Sequence, residues 1–490
     1  MQDRKFKWYD YLTINIYYLA LTMLSQTLVP LVLPLLVQDF VGEAQKATYI
    51  GIIRLWGLMV ALLAQAFWGM LSDRSTLRWG RRRPFILGGT LGDFVFIVGI
   101  GLTAGLSGLS GFWVLFACYL LLQVCTNAAH GATQGLIPDL VPESLRGRFS
   151  GIKAILEVPL PVILVSFAIA GFIKGGNLWL GLFTLMGFMA LSTALTMLVR
   201  EEPLRETPSP LNWEPLVRLL AMTAVFTLVI LGLGMLTRWI GAAIAGMQSV
   251  VSLGLVMGVA GLLAMAVAVA LGVWLSVRIC IGAKDQQNYR SFTWWVINRL
   301  AFLVPAFSLS GFALYFLQGR LGLTAEAATG PAAQMMMFVG VFVLLSALPS
   351  GWLSDRFGRK RMVALSGLIG GLGTLVLLLA PNLTVIYIGA CIIGLATGIF
   401  YTVNWALGTS LVPDREAGRF LGISNLAGAG AGAIGTYIGG PIADFFTVNV
   451  PQMPGLGYII VFAIYGVLFL LSMIPLSKVE LPTAATPISG

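Results

Sequence analysis

Charge is scarce in this chain, and so are the residues that soluble chemistry relies on. Of 490 residues only 10% are Asp, Glu, Lys or Arg, while 58% are hydrophobic. A water-facing globule needs a charged surface, so that class is excluded. One histidine, His130, and four scattered cysteines leave no Cys/His cluster with metal-ligand spacing. Cys118, Cys125, Cys280 and Cys391 lie inside apolar runs and read as packing residues. Neither H-E-x-x-H nor a phosphate-cradling G-x-x-x-x-G-K-[ST] occurs, and the loops are too short for a catalytic domain. No enzyme and no cofactor is expected. The net charge of +10 does not point to nucleic acid, because the basic residues are confined to particular loops.

What the chain has instead is apolar runs of roughly 20 residues, each long enough to cross a bilayer as a helix. Six spans come first, at 11–38, 48–71, 84–106, 112–137, 150–173 and 178–199. Two more, 216–237 and 243–279, sit between polar stretches, the alternative for the longer being a segment partly in the interface. Six follow at 292–318, 332–353, 362–381, 384–410, 419–446 and 457–476. The spacing therefore predicts an all-α polytopic membrane protein of about 14 spans. Residues 1–199 form an N-terminal six-helix half, 200–291 a central linker with two extra helices, and 292–490 a C-terminal six-helix half. The opening MQDRKFKWYD runs into the first span without a small-residue cleavage site, so that span is expected to stay. With the N-terminus cytoplasmic, 25 of the 30 Lys and Arg fall on the cytoplasmic side and four on the other. Arg54 lies within a span. Both termini are thus expected in the cytoplasm, with the chain integral to the plasma membrane.

Two charged stretches recur in the two halves. LVPESLRGRFSGI (140–152) matches LVPDREAGRFLGI (411–423) at eight of thirteen positions. GMLSDRSTLRWGRRR (69–83) answers GWLSDRFGRKR (351–361). Such a repeat set in membrane points to two pseudo-equivalent bundles, an arrangement that mostly moves solutes by rocking about a central site. The first copy offers Gly69, Asp73, Arg74, Arg78, Gly80, Arg81 and Arg82 as a gating motif. The second offers Gly351, Asp355, Arg356, Gly358 and Arg359. Gly69 and Gly351 would let a neighbouring helix approach, and the aspartates can face an arginine or a helix N-terminus. The plain alternative is arginines that anchor a loop.

These residues resemble the major facilitator superfamily, over the chain outside the central pair of spans. Within RLWGLMVALLAQAFWGMLSDRSTLRWGRRRPFI (54–86), the residues Gly57, Leu63, Gln65, Gly69, Ser72-Asp73-Arg74, Arg78 and the run 80–86 are similar to the sucrose-transporter branch of the glycoside–cation symporters. NAAHGATQGLIPDL (127–140) resembles that branch's fourth-span segment, with Asn127, Gly131 and Asp139 on the pattern. Where plant sucrose symporters carry an acidic residue near the start of this segment, the chain has Gln123. Their arginine falls on Gln134 and their glutamine on His130; the sodium-binding aspartates of melibiose-type relatives fall on Ala61 and Gln65.

Polar groups inside spans raise functional questions of their own. Asp93 and Glu157 are the coupling candidates. Asp93 reads equally as a proton site or a paired structural acid, and Glu157 as a cavity acid or the i+4 partner of Lys153. Asn127, His130 and Gln134 share one helix face. By the repeat offset His130 and Gln134 pair with Tyr401 and Trp405, and Asn404 lies beside them. With Gln65 and Arg299 these form the candidate substrate set, a polar face opposite an aromatic one. Interhelical hydrogen bonding is the alternative for the stripe. Arg54 and Arg299 begin their spans and read more simply as snorkelling anchors, and Asp444 as interfacial.

The resemblance implies a secondary transporter of a small polar solute, with a disaccharide or other glycoside as leading cargo and a proton as candidate co-ion. Export of an amphipathic compound or lipid is the alternative within transport, and a non-transporting receptor or scaffold the alternative outside it. The expected partners are the solute, a proton and the lipid bilayer, with the monomer as working unit and no nucleic acid or metal.

Overall fold

The structure, a computed structural model, describes residues 6–201, 213–282, 289–411 and 417–480; nothing is described of the side chains of residues 417–422. Residues 412–416 of the repeat and 284–288 of the polar patch therefore lie outside the described residues. Fourteen long helices account for the fold of the described residues. The first six are α1 (Trp8–Val41), α2 (Lys46–Ser72), α3 (Arg83–Thr103), α4 (Gly108–Leu140), α5 (Glu143–Lys174) and α6 (Leu178–Thr196). The extra pair is α7 (Glu214–Ile244) and α8 (Val250–Ile281). Then come α9 (Arg290–Leu321), α10 (Ala325–Phe357), α11 (Arg359–Leu379), α12 (Leu383–Thr409), α13 (Ala417–Asn449) and α14 (Leu456–Ser477). Among the described residues thirteen of them are long and apolar enough to cross a membrane, and α13 adds 33 residues of helix. No strand occurs among the described residues. Large apolar side chains such as Leu228, Val251, Leu255 and Leu348 stay exposed on the outside, as they do when hydrocarbon is the solvent.

The sequence repeat returns as a packing repeat. α4 packs on α2 and α3, and α12 packs on α10 and α11 in the same pattern. At the α2–α4 crossing the small residue that matters is Gly131, whose added Cβ would lie 2.9 Å from the Gln65 carbonyl oxygen. The same Cβ on Gly131 would fall 3.1 Å from the Gly69 nitrogen, so α4 does come close to α2 at Gly69. A Cβ on Gly69 meets nothing within 4 Å, and one on Gly351 meets only the Thr402 methyl at 4.0 Å.

Proline reshapes two helices of the first half. Pro30 lies in a π-helical turn over Leu28–Val32, and α5 breaks at Val158 before Pro159 and widens again over Val165–Ile169. Proline lacks the N–H that would close the normal turn, which accounts for the changes at Pro30 and Pro159; the Val165–Ile169 turn holds no proline. The α7–α8 pair lies against α13, with further contacts to α2, α9 and α14. The 32-residue α8 is one continuous helix, long and apolar enough to cross a membrane.

Hydrogen bonds tie the two halves together at the end where α1 passes into α2. The Asp444 carboxylate accepts from the N–H groups of Ala47 and Thr48, at 3.1 and 2.7 Å, and so caps the N-terminus of α2. Asp444 is buried within the protein near the end of its helix. Lys46 Nζ donates to Gln318 at 2.6 Å and pairs with Glu43 at 2.7 Å, and Gln318 Nε2 donates to Gln38 at 2.9 Å. The Tyr315 hydroxyl donates to the Pro34 carbonyl at 2.8 Å.

A charged cap at a partly buried helix N-terminus contributes about 1–2 kcal/mol. Asp444→Asn is therefore expected to raise hydrogen–deuterium exchange at the amides of residues 47–48 by roughly 5- to 30-fold in nanodiscs, through more frequent opening of this end. Unchanged exchange there would remove Asp444 from the latch.

Candidate functional site

The two halves enclose a cavity of about 300 Å³ near mid-helix. The π-helical turn of α1 forms one wall, through Leu28, Val29 and Pro30, with Ser25 and Gln26 one turn earlier. α2 adds Arg54 and Leu58, α4 adds Tyr119, Gln123 and Thr126, and the second half contributes Phe307, Ser310, Gly428, Ala429 and Gly432. The lining is mixed: amides and hydroxyls alternate with aliphatic surface, and there is one cation.

That cation corrects the sequence reading. Arg54 does not snorkel to an interface; it is 6% exposed and turns inward between the halves. Its Nη2 donates to the Phe307 carbonyl at 3.3 Å, and its Nε has no protein partner. Gln123, at the position of the resembling family's acidic residue, also faces this cavity and donates to the Gly57 carbonyl at 3.2 Å. Thr126 connects the cavity to Asp93: its hydroxyl donates to Asp93 Oδ1 at 2.6 Å, while Oδ2 is buried without a partner. Asp93 is fully buried on α3. Glu157 sits 3.6 Å from Lys153 and is partly exposed, as the ion-pair reading expects.

The eight candidate substrate residues lie elsewhere, in two separate groups. In the first half His130 is flanked by Gln65, with Nε2 3.4 Å from Nδ1, and by Gln134, with Nε2 3.2 Å from His130 Nε2. A neutral imidazole offers one donor and one acceptor, so one of these amides turns its oxygen to the ring. Asn127 donates to the carbonyl of Gln123 on its own helix. In the second half Asn404 is fully buried, donating to Asn298 at 2.8 Å and accepting from Arg299 at 3.1 Å. Its carbonyl accepts from the Trp295 indole at 3.0 Å. The Arg299 guanidinium lies 5.4 Å from the Trp405 ring centre, and Tyr401 packs against Phe307. Asn127, His130, Gln134, Gln65, Tyr401, Asn404, Trp405 and Arg299 do not line the cavity. His130 lies seven residues beyond Gln123, or about 10 Å along α4.

The charged loop copies differ in what they build. In the first, Arg82 is nearly buried and gathers Asp73, Asp139 and Ser72. Its Nε and Nη2 both reach Asp139 at 2.9 Å, its Nη1 donates to Ser72 at 2.7 Å, and its Nη2 also pairs with Asp73. Arg81 pairs with the same Asp139. Glu201, just past α6, accepts from the N–H groups of Arg82 and Arg83 at 2.9–3.1 Å and so caps α3. Gly80 makes room for it at φ +112, where a Cβ would fall 2.4 Å from the Glu201 carboxylate. Arg74 is half-buried and Arg78 exposed. In the second copy Arg359 donates to the Ala406 carbonyl at 3.0 Å, Arg356 lies 5.9 Å over Trp352, and Asp355 is exposed. Gly358 ends α10 at φ +91. The position equivalent to Asp139 is Ser410, so the second half lacks the acid around which the first is built. Sequence reasoning missed Glu201 and the inward turn of Arg54; an arginine two turns inside an apolar span was the available signal for the latter.

Comparison with known proteins places this geometry. The family model for the Major Facilitator Superfamily matches residues 16–338 and 300–489. Residues of the minor myo-inositol transporter IolF of Bacillus subtilis (strain 168) are 33% identical over 90 positions, 18% of this chain and 20% of that one. The chain spans about a fifth to a third of the length of the first curated relatives it matches. A crystal structure of the nucleoside transporter NupG, as a mutant, superposes with a TM-score of 0.64 at 12% identity over 95% of this chain and 99% of that chain. A D-xylose–proton symporter superposes with a TM-score of 0.64 at 14% identity over 96% of each.

The charge cluster predicts an order of effects. Arg82→Ala leaves Asp139 to Arg81 alone and takes the donor from buried Ser72, and is expected to destabilise by about 2–4 kcal/mol. Asp73→Asn, at a side chain 57% exposed, is expected to change stability by less than ~1 kcal/mol. Melting curves of the two variants check this, and an equal loss in both would contradict the assignment of Arg82 as the hub.

Proposed function

The chain belongs to the Major Facilitator Superfamily, and from that premise we propose that it is a secondary transporter of a small polar solute working by alternating access. A disaccharide or other glycoside is the leading cargo. The observation that carries the reading is the cavity of about 300 Å³ lined by both halves, with the halves latched at one end by Asp444 and Lys46. A cavity built by two bodies changes its access when they rock, whereas one within a single bundle does not. The likeness of residues 54–86 and 127–140 to the sucrose-transporter branch supports the sugar assignment. The working halves are 1–199 and 292–490, with 200–291 as the added pair. Both termini lie in the cytoplasm of a plasma-membrane monomer, an orientation supported by the Lys and Arg distribution.

The coupling site of this proposal is Asp93. Its Oδ1 accepts from Thr126, which joins it to the cavity wall, and its Oδ2 is buried without a partner, free to hold a proton. Glu157, already beside Lys153, serves the first half as an ion-pair member. The apolar lining at Leu21, Leu24 and Leu58 favours a second reading, export of an amphipathic compound.

Uptake of sucrose and maltose into proteoliposomes, with and without an inward proton gradient, tests the reading. Gradient-driven uptake is expected, with Asp93→Asn abolishing the gradient's effect while sugar counterflow continues and Glu157→Gln retaining it. Folded protein that moves neither sugar would overturn the sugar assignment and favour the export reading.

A further inference from the structure

Arg54 has a charge that the protein does not balance. It is 6% exposed, eight residues into α2, and no carboxylate among the described residues pairs with it. Its protein hydrogen bond goes to a neutral carbonyl, that of Phe307 at 3.3 Å, and Nε is left without a partner. The other charged residue near this cavity, Asp93, points to Thr126 from α3. A buried guanidinium without a counter-charge is costly, and a group able to balance it has only the cavity to come from. Arginine's planar fork suits a carboxylate, which accepts two parallel N–H bonds. Around it Ser25, Gln26, Gln123 and Ser310 offer partners for hydroxyl groups, and Phe307 and Leu58 offer apolar faces.

The geometry points to a cargo that carries a carboxylate, held by Arg54 in the cavity between the halves. The class is a small hydroxylated organic acid, such as a glycoside with an oxidised terminal carbon. The inference rests on the transport reading and narrows it. A neutral sugar fills the hydroxyl-binding part and leaves the guanidinium unbalanced, so it binds more weakly. Arg54 also bridges α2 to the second half, so cargo charge bears on the contact between the halves.

The test uses the full chain in nanodiscs and a matched pair of probes: sodium methyl β-D-glucuronide and methyl β-D-glucoside, at equal ionic strength set with sodium chloride. Binding is read from ligand-dependent shifts in melting temperature. A charge-assisted hydrogen-bond pair predicts roughly 10- to 100-fold tighter binding of the acid. Arg54→Gln is expected to abolish that preference, and Arg54→Lys, which keeps the charge and loses the fork, to retain part of it. Equal affinity for the two probes, the same preference in a folded Arg54→Gln, or no binding of either probe to folded protein would overturn the proposal. If Arg54→Gln does not fold, an undiminished preference in Arg54→Lys is the result that removes the fork. Counterflow of the glucuronide in liposomes separates this from the transport reading. Binding of the acid without flux leaves the anion site standing and removes transport.

Discussion

α2 and α13 run so close together that a Cβ on Gly51 would lie 2.6 Å from the Thr436 carbonyl oxygen, and one on Gly440 would lie 2.3 Å from that of Ala47. Between those contacts and the Asp444 cap, the N-terminal end of α2 is fixed to the second half. Much else follows from this seam. Arg54 sits one to two turns further along α2 and is thereby directed between the halves instead of to lipid. The extra helices α7 and α8 lie against α13, where Phe226 fills the space left by Gly272 and Gly430. In hydrocarbon the apolar effect does not drive helices together, so backbone contact through small residues and a few hydrogen bonds must do so. A seam of this kind closes one end of the cavity and leaves its position along α2 well defined.

The two halves share a packing plan but not a charge plan. α4 and α12 hold equivalent places, yet the first half centres its loop on Arg82 and Asp139, and the second has Ser410 where the acid would be. The first half ties α2, α3, α4 and the segment after α6 into one unit through Arg82 and Glu201. In the second half Arg359 donates to the carbonyl of Ala406 among the described residues. The two central groups differ as well: His130 meets the amides of Gln65 and Gln134, whereas Asn404 is enclosed by Asn298, Arg299 and Trp295.

The helices were legible in the sequence because hydrocarbon imposes one requirement on every span, length and apolarity, and the α1 and α14 ends fall within a few residues of the apolar runs. The charge cluster was legible in part. Asp73, Arg81 and Arg82 belong to a repeated motif, and Asp139 lies on a recognisable helix-4 pattern. Glu201 was not, since a carboxylate capping α3 from beyond α6 leaves no spacing to read. Polar direction was the weakest inference. Asn127, His130 and Gln134 do share a face, but which cavity a face meets depends on helix rotation set by distant contacts such as Gly131 on Gln65. Arg54 and Asp444 lie near span ends, where snorkelling is the cheap explanation. Only the α2–α13 seam, a contact across roughly 390 residues of chain, turns both inward.

The central claim is that the halves move as two bodies about the cavity. Double electron–electron resonance between spin labels at Lys174 and Pro381, on the latched end, and at Thr76 and Phe357, on the other, tests it directly in nanodiscs. Addition of a transported solute is predicted to shift the two distance distributions in opposite senses, one lengthening as the other shortens. Distances that stay fixed at both ends with solute bound, or that change in the same sense, would contradict the account.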